Sequence, residues 1–196
     1  MSSPKPKRFK GDLRAALIEA GIDLVRDGGP EALTIRGVAA RVGVSHAAPK
    51  HHFATLEALR TAIATEGYRR FTAEMDAAIA EATLDPQSAI TAAGIGYIRF
   101  ARSHPGLFQI MFTDRLDVTD PALCTASDAA YAVLARVAAP VAHGAAGAEG
   151  TETLIWSIAH GFSALMLTGK PELQDPAHAE ALYRAIAPTF PLAPKD

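Results

Sequence analysis

An all-α protein is encoded here, on three grounds. Alanine is abundant, β-branched residues are sparse, and Gly/Pro clusters punctuate long runs rich in alanine and leucine. Alanine and leucine are strong helix formers, and the apolar positions recur at helical spacing rather than in alternation. About half of the 196 residues are apolar (49%), which supports one good core or two small ones and argues against disorder.

The elements follow in order. Residues 1–10, MSSPKPKRFK, read as a flexible basic arm. Leu13, Leu17, Ala20 and Leu24 then make one apolar helical stripe, which Gly28-Gly29-Pro30 stops. Thr34 caps a short helix, IRGVAARV, that ends at Gly43. Ser45 is expected to cap another short helix, closed by Phe53 and Ala54, before Thr55 caps a long one running to about Ala82. Gly43 supplies the positive φ of a sharp turn, Ala39 and Ala40 let two helices cross closely, and Val38, Val42, Val44 and Phe53 form the apolar centre. Residues 11–54 therefore read as a three-helix, helix-turn-helix domain, and 55–196 as a helical body. In the body, helices open at Pro86, near Leu107, at Pro121, near 149 and at Pro176, with ends near Ser103, His143, Thr168 and Ala187.

Charge is divided unevenly. The formal net charge is −2, yet residues 1–70 hold twelve Lys/Arg against seven Asp/Glu, and residues 71–196 hold seven against fourteen. A basic head on an acidic body fits a polyanion partner for the head, or else a solvated charged surface. The single Cys124 excludes an intrachain disulfide framework and a cysteine-based zinc cluster. No apolar run reaches membrane-spanning length, and the first residues lack a signal-peptide core, so a cytoplasmic protein is expected.

The stretch VSHAAPKHHFATLEAL, residues 44–59, holds three histidines. His46 and His51 are five apart and His51 and His52 adjacent, so neither spacing sets two imidazoles on one helical face for a metal. A catalytic reading lacks an acid partner and a nucleophile other than Ser45. A contact surface fits better: His46, Ala47, Lys50 and His51 point outward after Ser45, with Val44 and Phe53 inward. Small residues let such a helix enter a groove, where Lys50 and the imidazoles can donate to phosphate oxygens or base edges. Pro49 cannot donate to the Ser45 carbonyl and biases Ala48 away from helical angles, so it should loosen or tighten the segment's start.

At this point a resemblance is evident. ALTIRGVAARVGVSHAAPKHHFATLEALRTAI resembles the DNA-binding domain of the tetracycline-repressor (TetR) family: Leu-Thr, an alanine-centred helix, Gly43-Val44-Ser45, a short helix ending in Phe53, then Glu57-Ala58-Leu59. It covers about residues 10–70. Lys50 and His52 stand where tyrosines are common, and Leu56 where a lysine is common. The resemblance implies a homodimeric, ligand-responsive regulator, a repressor, binding a palindromic operator in double-stranded DNA without a cofactor. Thr34 and Arg36 would anchor phosphates, and Ser45, His46, Ala47, Lys50 and His51 would lie nearest the DNA. The basic arm, Lys5, Lys7, Arg8 and Lys10, either tracks the duplex or is a solvated tail.

The resemblance also implies that the C-terminal helices bind a small effector and form the dimer. Residues 149–168 are apolar nearly all round, with Leu154, Ile158, Phe162 and Leu165 on one face and Ile155, Ala159 and Met166 on the next. Two apolar faces need cover on two sides, from this chain's core and a partner subunit, or from this chain alone. Ala181, Leu182, Ala185 and Ile186 of the last helix, 176–187, would complete a four-helix interface. WSIAHG resembles the tryptophan–histidine–glycine signature of one TetR subfamily, with Trp156 and His160 on one face. His160 either meets a ligand or is a satisfied core histidine. Tyr97, Phe100, Phe108, Met111 and Phe112 gather much of the aromatic and methionine content; they are core residues or, with Trp156 and His160, the lining of a site for a small, largely apolar molecule. Two rival readings are a helical protein-docking module that ignores DNA and a small all-α enzyme.

Overall fold

The computed structural model describes residues 11–83, 85–113 and 115–192; the basic arm expected at 1–10 lies outside them. Among the described residues the α-helices are α1 (Leu13–Gly28), α2 (Ile35–Val42), α3 (Leu56–Ala80), α4 (Pro86–Ser103), α5 (Pro105–Met111), α6 (Pro121–Ala138), α7 (Gly147–Leu167) and α8 (Pro176–Ile186). Short 3-10 turns span Pro30–Ala32, Ala48–His51 and Pro171–Leu173. The fold is all-α, as expected. The described residues form two units: 11–68 with 104–126, and 69–103 with 127–192.

In the first unit the helix ends obey their local chemistry. The Asp12 carboxylate accepts from the Ala15 N–H at 3.1 Å and opens α1. Gly29, at φ 75°, closes it by donating to the Val25 carbonyl. The Thr34 hydroxyl accepts from the Gly37 N–H at 2.9 Å and opens α2. Gly43, at φ 76° and ψ 31°, donates back to the Ala39 and Ala40 carbonyls. A side chain at that left-handed position would cost about 1 kcal/mol. Leu17, Val25, Leu33, Val38, Ala39, Phe53 and Leu59 are buried. Arg41 of α2 binds Asp27 (2.6 Å) and Asp23 (3.6 Å) of α1, tying the two helices together.

The third element departs from expectation. Ser45 caps no α-helix: residues 46–47 form a turn and Ala48–His51 a 3-10 turn, and Ala47, the residue before it, makes no side-chain cap. The bonds run from Ala48 N to Ser45 O (3.0 Å), Lys50 N to Ala47 O (3.2 Å) and His52 N to Pro49 O (2.9 Å). Pro49 is the physical reason. It has no N–H to give the Ser45 carbonyl, so an α-turn cannot close there and the chain tightens to three-residue spacing.

In the second unit the Asp85 carboxylate caps α4 by accepting from the Ser88 N–H at 2.8 Å. Hydrogen bonds from Ser88 and Thr83 hold that carboxyl down to about 2. Ile90 and Ala93 of α4 pack with Val137, Ala138, Val141 and Ile155 in one apolar cluster. Gly96 lets α4 approach α3: a Cβ there would stand 2.6 Å from the Met75 Cα and 2.7 Å from the Glu74 carbonyl oxygen. Arg99 fastens α8 to α4 with a two-pronged bond to Glu180, at 2.8 and 3.1 Å. Two boundaries shift from expectation: α3 ends at Ala80, and α6 ends at Ala138 rather than near His143. Pro140 accounts for the second, because it disfavours helical angles at Ala139.

Candidate DNA-reading surface and polar cluster

The segment after Gly43 presents its polar side chains outward. Ser45, His46, Ala47, Lys50 and His51 are exposed, as are Thr34 and Arg36 at the start of α2. Pro49 is buried and Phe53 is 2% exposed, so these two residues anchor the segment from within. The guanidinium of Arg14 lies 5.4 Å over the Phe53 ring and braces it from α1. Among the described residues neither Arg36 nor Lys50 is in an ion pair, whereas Arg26 and Arg41 are bound to Asp23 and Asp27. Two cations are thus unneutralised beside the exposed segment. The inward role of Pro49 was not read from sequence; its apolar ring, following Ala47 and Ala48 and preceding Lys50, was the available signal.

The seven effector candidates fall into two groups. Phe108 and Met111 of α5 are buried in the first unit with half-buried Phe112. The rings of Phe108 and Phe112 are 4.8 Å apart, Tyr68 meets Phe112 edge-on at 6.1 Å, and the Tyr68 hydroxyl donates to the Met111 carbonyl. Tyr97, Phe100, Trp156 and His160 belong to the second unit. The Tyr97 hydroxyl lies 2.7 Å from Nδ1 of His160 and accepts from the Trp156 indole N–H at 3.3 Å. An indole nitrogen only donates, so the Tyr97 hydrogen is available for His160 Nδ1, with the imidazole proton on Nε2. Burial pushes the His160 imidazole below its ordinary value, which favours this neutral form. His160 is therefore partnered, and its role toward a ligand is a separate matter. Phe71, not singled out from sequence, meets Tyr97 at 4.6 Å and Phe100 at 5.2 Å, both edge-on. An open groove of about 440 Å³ in the same unit is lined by other residues, among them Thr83, Gln87, Thr91, Ile95, Arg99 and Arg184.

The outer faces of α7 and α8 carry large apolar side chains in solvent. Leu154 is 47% exposed, Leu165 50%, Leu182 37% and Ile186 49%. Ile155, Ala159, Phe162, Ser163 and Met166 form the buried side of α7. Phe162, grouped by periodicity with Leu154 and Leu165, thus belongs to the core, where its ring meets Tyr183 at 5.5 Å.

Residues 17–63 match the family model described as bacterial regulatory proteins, tetR family. Residues 90–190, more than half of the chain, match the model described as tetracyclin repressor-like, C-terminal domain. The chain belongs to the TetR family. As a TetR-family protein it is a DNA-binding transcriptional regulator. The family assignment rests on both ends of the chain; it does not extend to the tryptophan–histidine–glycine subfamily. Solved structures share the TetR fold. A protein of unknown function from Rhodococcus sp. RHA1 is 24% identical, with 94% of this chain and 100% of that one covered at a TM-score of 0.74. The TetR family transcriptional regulator PfmR from Thermus thermophilus is 18% identical over 90% and 94% of the two chains, at 0.62. The multidrug binding protein EbrR, complexed with imidazole, is 21% identical over 92% and 97%, at 0.57. No curated protein matches the sequence. Among the described residues no helix is long and apolar enough to cross a membrane.

Proposed function

We propose that this regulator is a cytoplasmic homodimeric repressor that reads a palindromic operator and is released by a small, largely apolar effector. Residues 11–54 act as the reading head, and residues 55–196 hold the effector and form the dimer. Thr34 and Arg36 anchor phosphates; Ser45, His46, Ala47, Lys50 and His51 meet the major groove. The observation that carries the reading is the exposed apolar surface of Leu154, Leu165, Leu182 and Ile186 on α7 and α8. Such a surface on two helices is matched by the same surface of a twofold partner. A twofold pair can set its reading segments about 34 Å apart, one turn of duplex, to engage successive major grooves.

Tyr97, Phe100, Trp156 and His160 are the effector contacts of the second unit in this reading, and Phe108, Met111 and Phe112 are candidates within the first. EbrR, a multidrug binding protein of the same fold, supports a small-molecule effector for this chain. Full release requires the effector to prefer the non-binding state by about 5.5 kcal/mol. Selection of bound duplexes from a random pool tests the proposal. An inverted repeat with half-sites about one helical turn apart is expected. Sites without twofold symmetry would defeat the dimer reading, and a protein that ignores duplex even at low salt would favour a protein-docking role.

A further inference from the structure

The exposed side chains of the reading segment share one chemical bias. From Val44 to His52 the exposed polar residues are Ser45, His46, Lys50, His51 and His52, and the stretch has no carboxylate or carboxamide side chain. Lysine only donates hydrogen bonds. A protonated imidazole also only donates, through both nitrogens, whereas a neutral one donates once and accepts once. In the major groove guanine presents two acceptors, N7 and O6, and no donor; thymine presents one acceptor, O4, beside its methyl, adenine an acceptor beside an amino donor, and cytosine an amino donor. A face of donors therefore fits guanine and leaves amino groups unanswered. The local backbone favours this display: the buried Pro49 fixes the 3-10 turn from inside and leaves Lys50 and His51 in solvent.

The elements around the segment carry charges of both signs. α2, which packs on the segment, carries Arg36 and Arg41, the latter bound to Asp23 and Asp27 of α1. α1 also brings Asp12, Glu19 and Arg14, which lies over Phe53; the start of α3 brings Glu57 and Arg60. Resting on the DNA-reading role of this segment, we propose that His46, Lys50 and His51 read guanine edges, and that the two imidazoles engage the duplex protonated, so binding takes up protons. Phosphates around the groove favour the charged imidazole, which raises its proton affinity in the complex above that of the free protein. Proton binding and duplex binding then favour each other, so DNA affinity falls as pH rises.

The full chain and duplexes selected from a random pool provide the test. Half-sites containing guanine are expected, and replacing those guanines with 7-deazaguanine, which lacks the N7 acceptor, should weaken binding about fivefold or more. Affinity should fall as pH rises, and titrations in two buffers of different ionisation heat should register net proton uptake. The His46→Gln/His51→Gln variant, altered only at exposed positions, should melt like the parent and bind with nearly pH-independent affinity. Sequence-selective binding to guanine-free half-sites, or binding without proton uptake, overturns this inference and leaves DNA reading intact. Failure to select any duplex overturns the reading role itself and the inference with it.

Discussion

Tyr97 draws together two residues of a helix about sixty positions away in sequence: it accepts from the Trp156 indole and lies against Nδ1 of His160. Tyr97 is 5% exposed, so its hydroxyl relies on these two partners rather than on water. Tyr97→Phe removes the shared hydroxyl and with it both of these bonds. It should destabilise the protein by about 1–2 kcal/mol. Trp156 is the chain's single tryptophan, so its emission reports the same event directly. A variant with unchanged emission and unchanged denaturant midpoint would show that these bonds are not made in solution. Pro49 teaches the complementary lesson that one imide nitrogen converts an expected α-turn to a 3-10 turn and thereby decides which neighbours face solvent.

Single bonds also set how helices hold one another. α8 is fastened to α4 by the pair of Arg99 and Glu180, with side chains 35% and 20% exposed, while Arg184 lies 3.6 Å from the same carboxylate. The hydrogen bond from Arg99 holds the Glu180 carboxyl below its ordinary value and outweighs the upward push of partial burial. A depressed folded value means that the stabilisation is complete above the unfolded carboxylate range and drains away as pH falls through the depressed value. Glu180→Gln should cost about 1 kcal/mol at neutral pH, between the worth of surface and buried pairs. Its stability should also decline less steeply with acid than the parent's, as urea melts across the acid range can measure. Parallel acid profiles would deny the pair its role. At the same α4, Gly96 decides the spacing to α3, since any side chain there would meet the Met75 backbone.

For the molecule as a whole, the exposed leucines and isoleucine of α7 and α8 are the largest unspent apolar resource. If a second copy covers them, folding and association are linked, and the melting temperature should climb with protein concentration. Leu165→Glu, at a half-exposed position, should abolish that dependence, yield a monomer by sedimentation and lose operator binding, because a single head engages one half-site. A monomeric parent, or a Leu165→Glu variant that still pairs, would place the interface elsewhere. Arg36→Ala tests the other end of the chain: with Arg36 as a phosphate anchor, operator affinity should fall across all sequences and its salt slope should flatten by about one unit.

Much of this architecture is written locally. Asp12, Thr34, Thr55 and Asp85 cap the helices they precede, and Gly29 and Gly43 end the helices before them, because capping chemistry acts within three or four residues. The sequence likewise supplied the helix-turn-helix resemblance, since that pattern is contiguous. Tertiary structure alone decided which apolar stripe is covered. Periodicity put Phe162 with Leu154 and Leu165, yet Phe162 is inside against Tyr183 and the leucines are outside. Spacing fixes angles about a helix axis but not the direction from which neighbours arrive. The pairing of Tyr97 with Trp156 and His160, and of Arg99 with Glu180, belongs to that same class, because a contact between helices far apart in sequence leaves no trace in either segment read by itself.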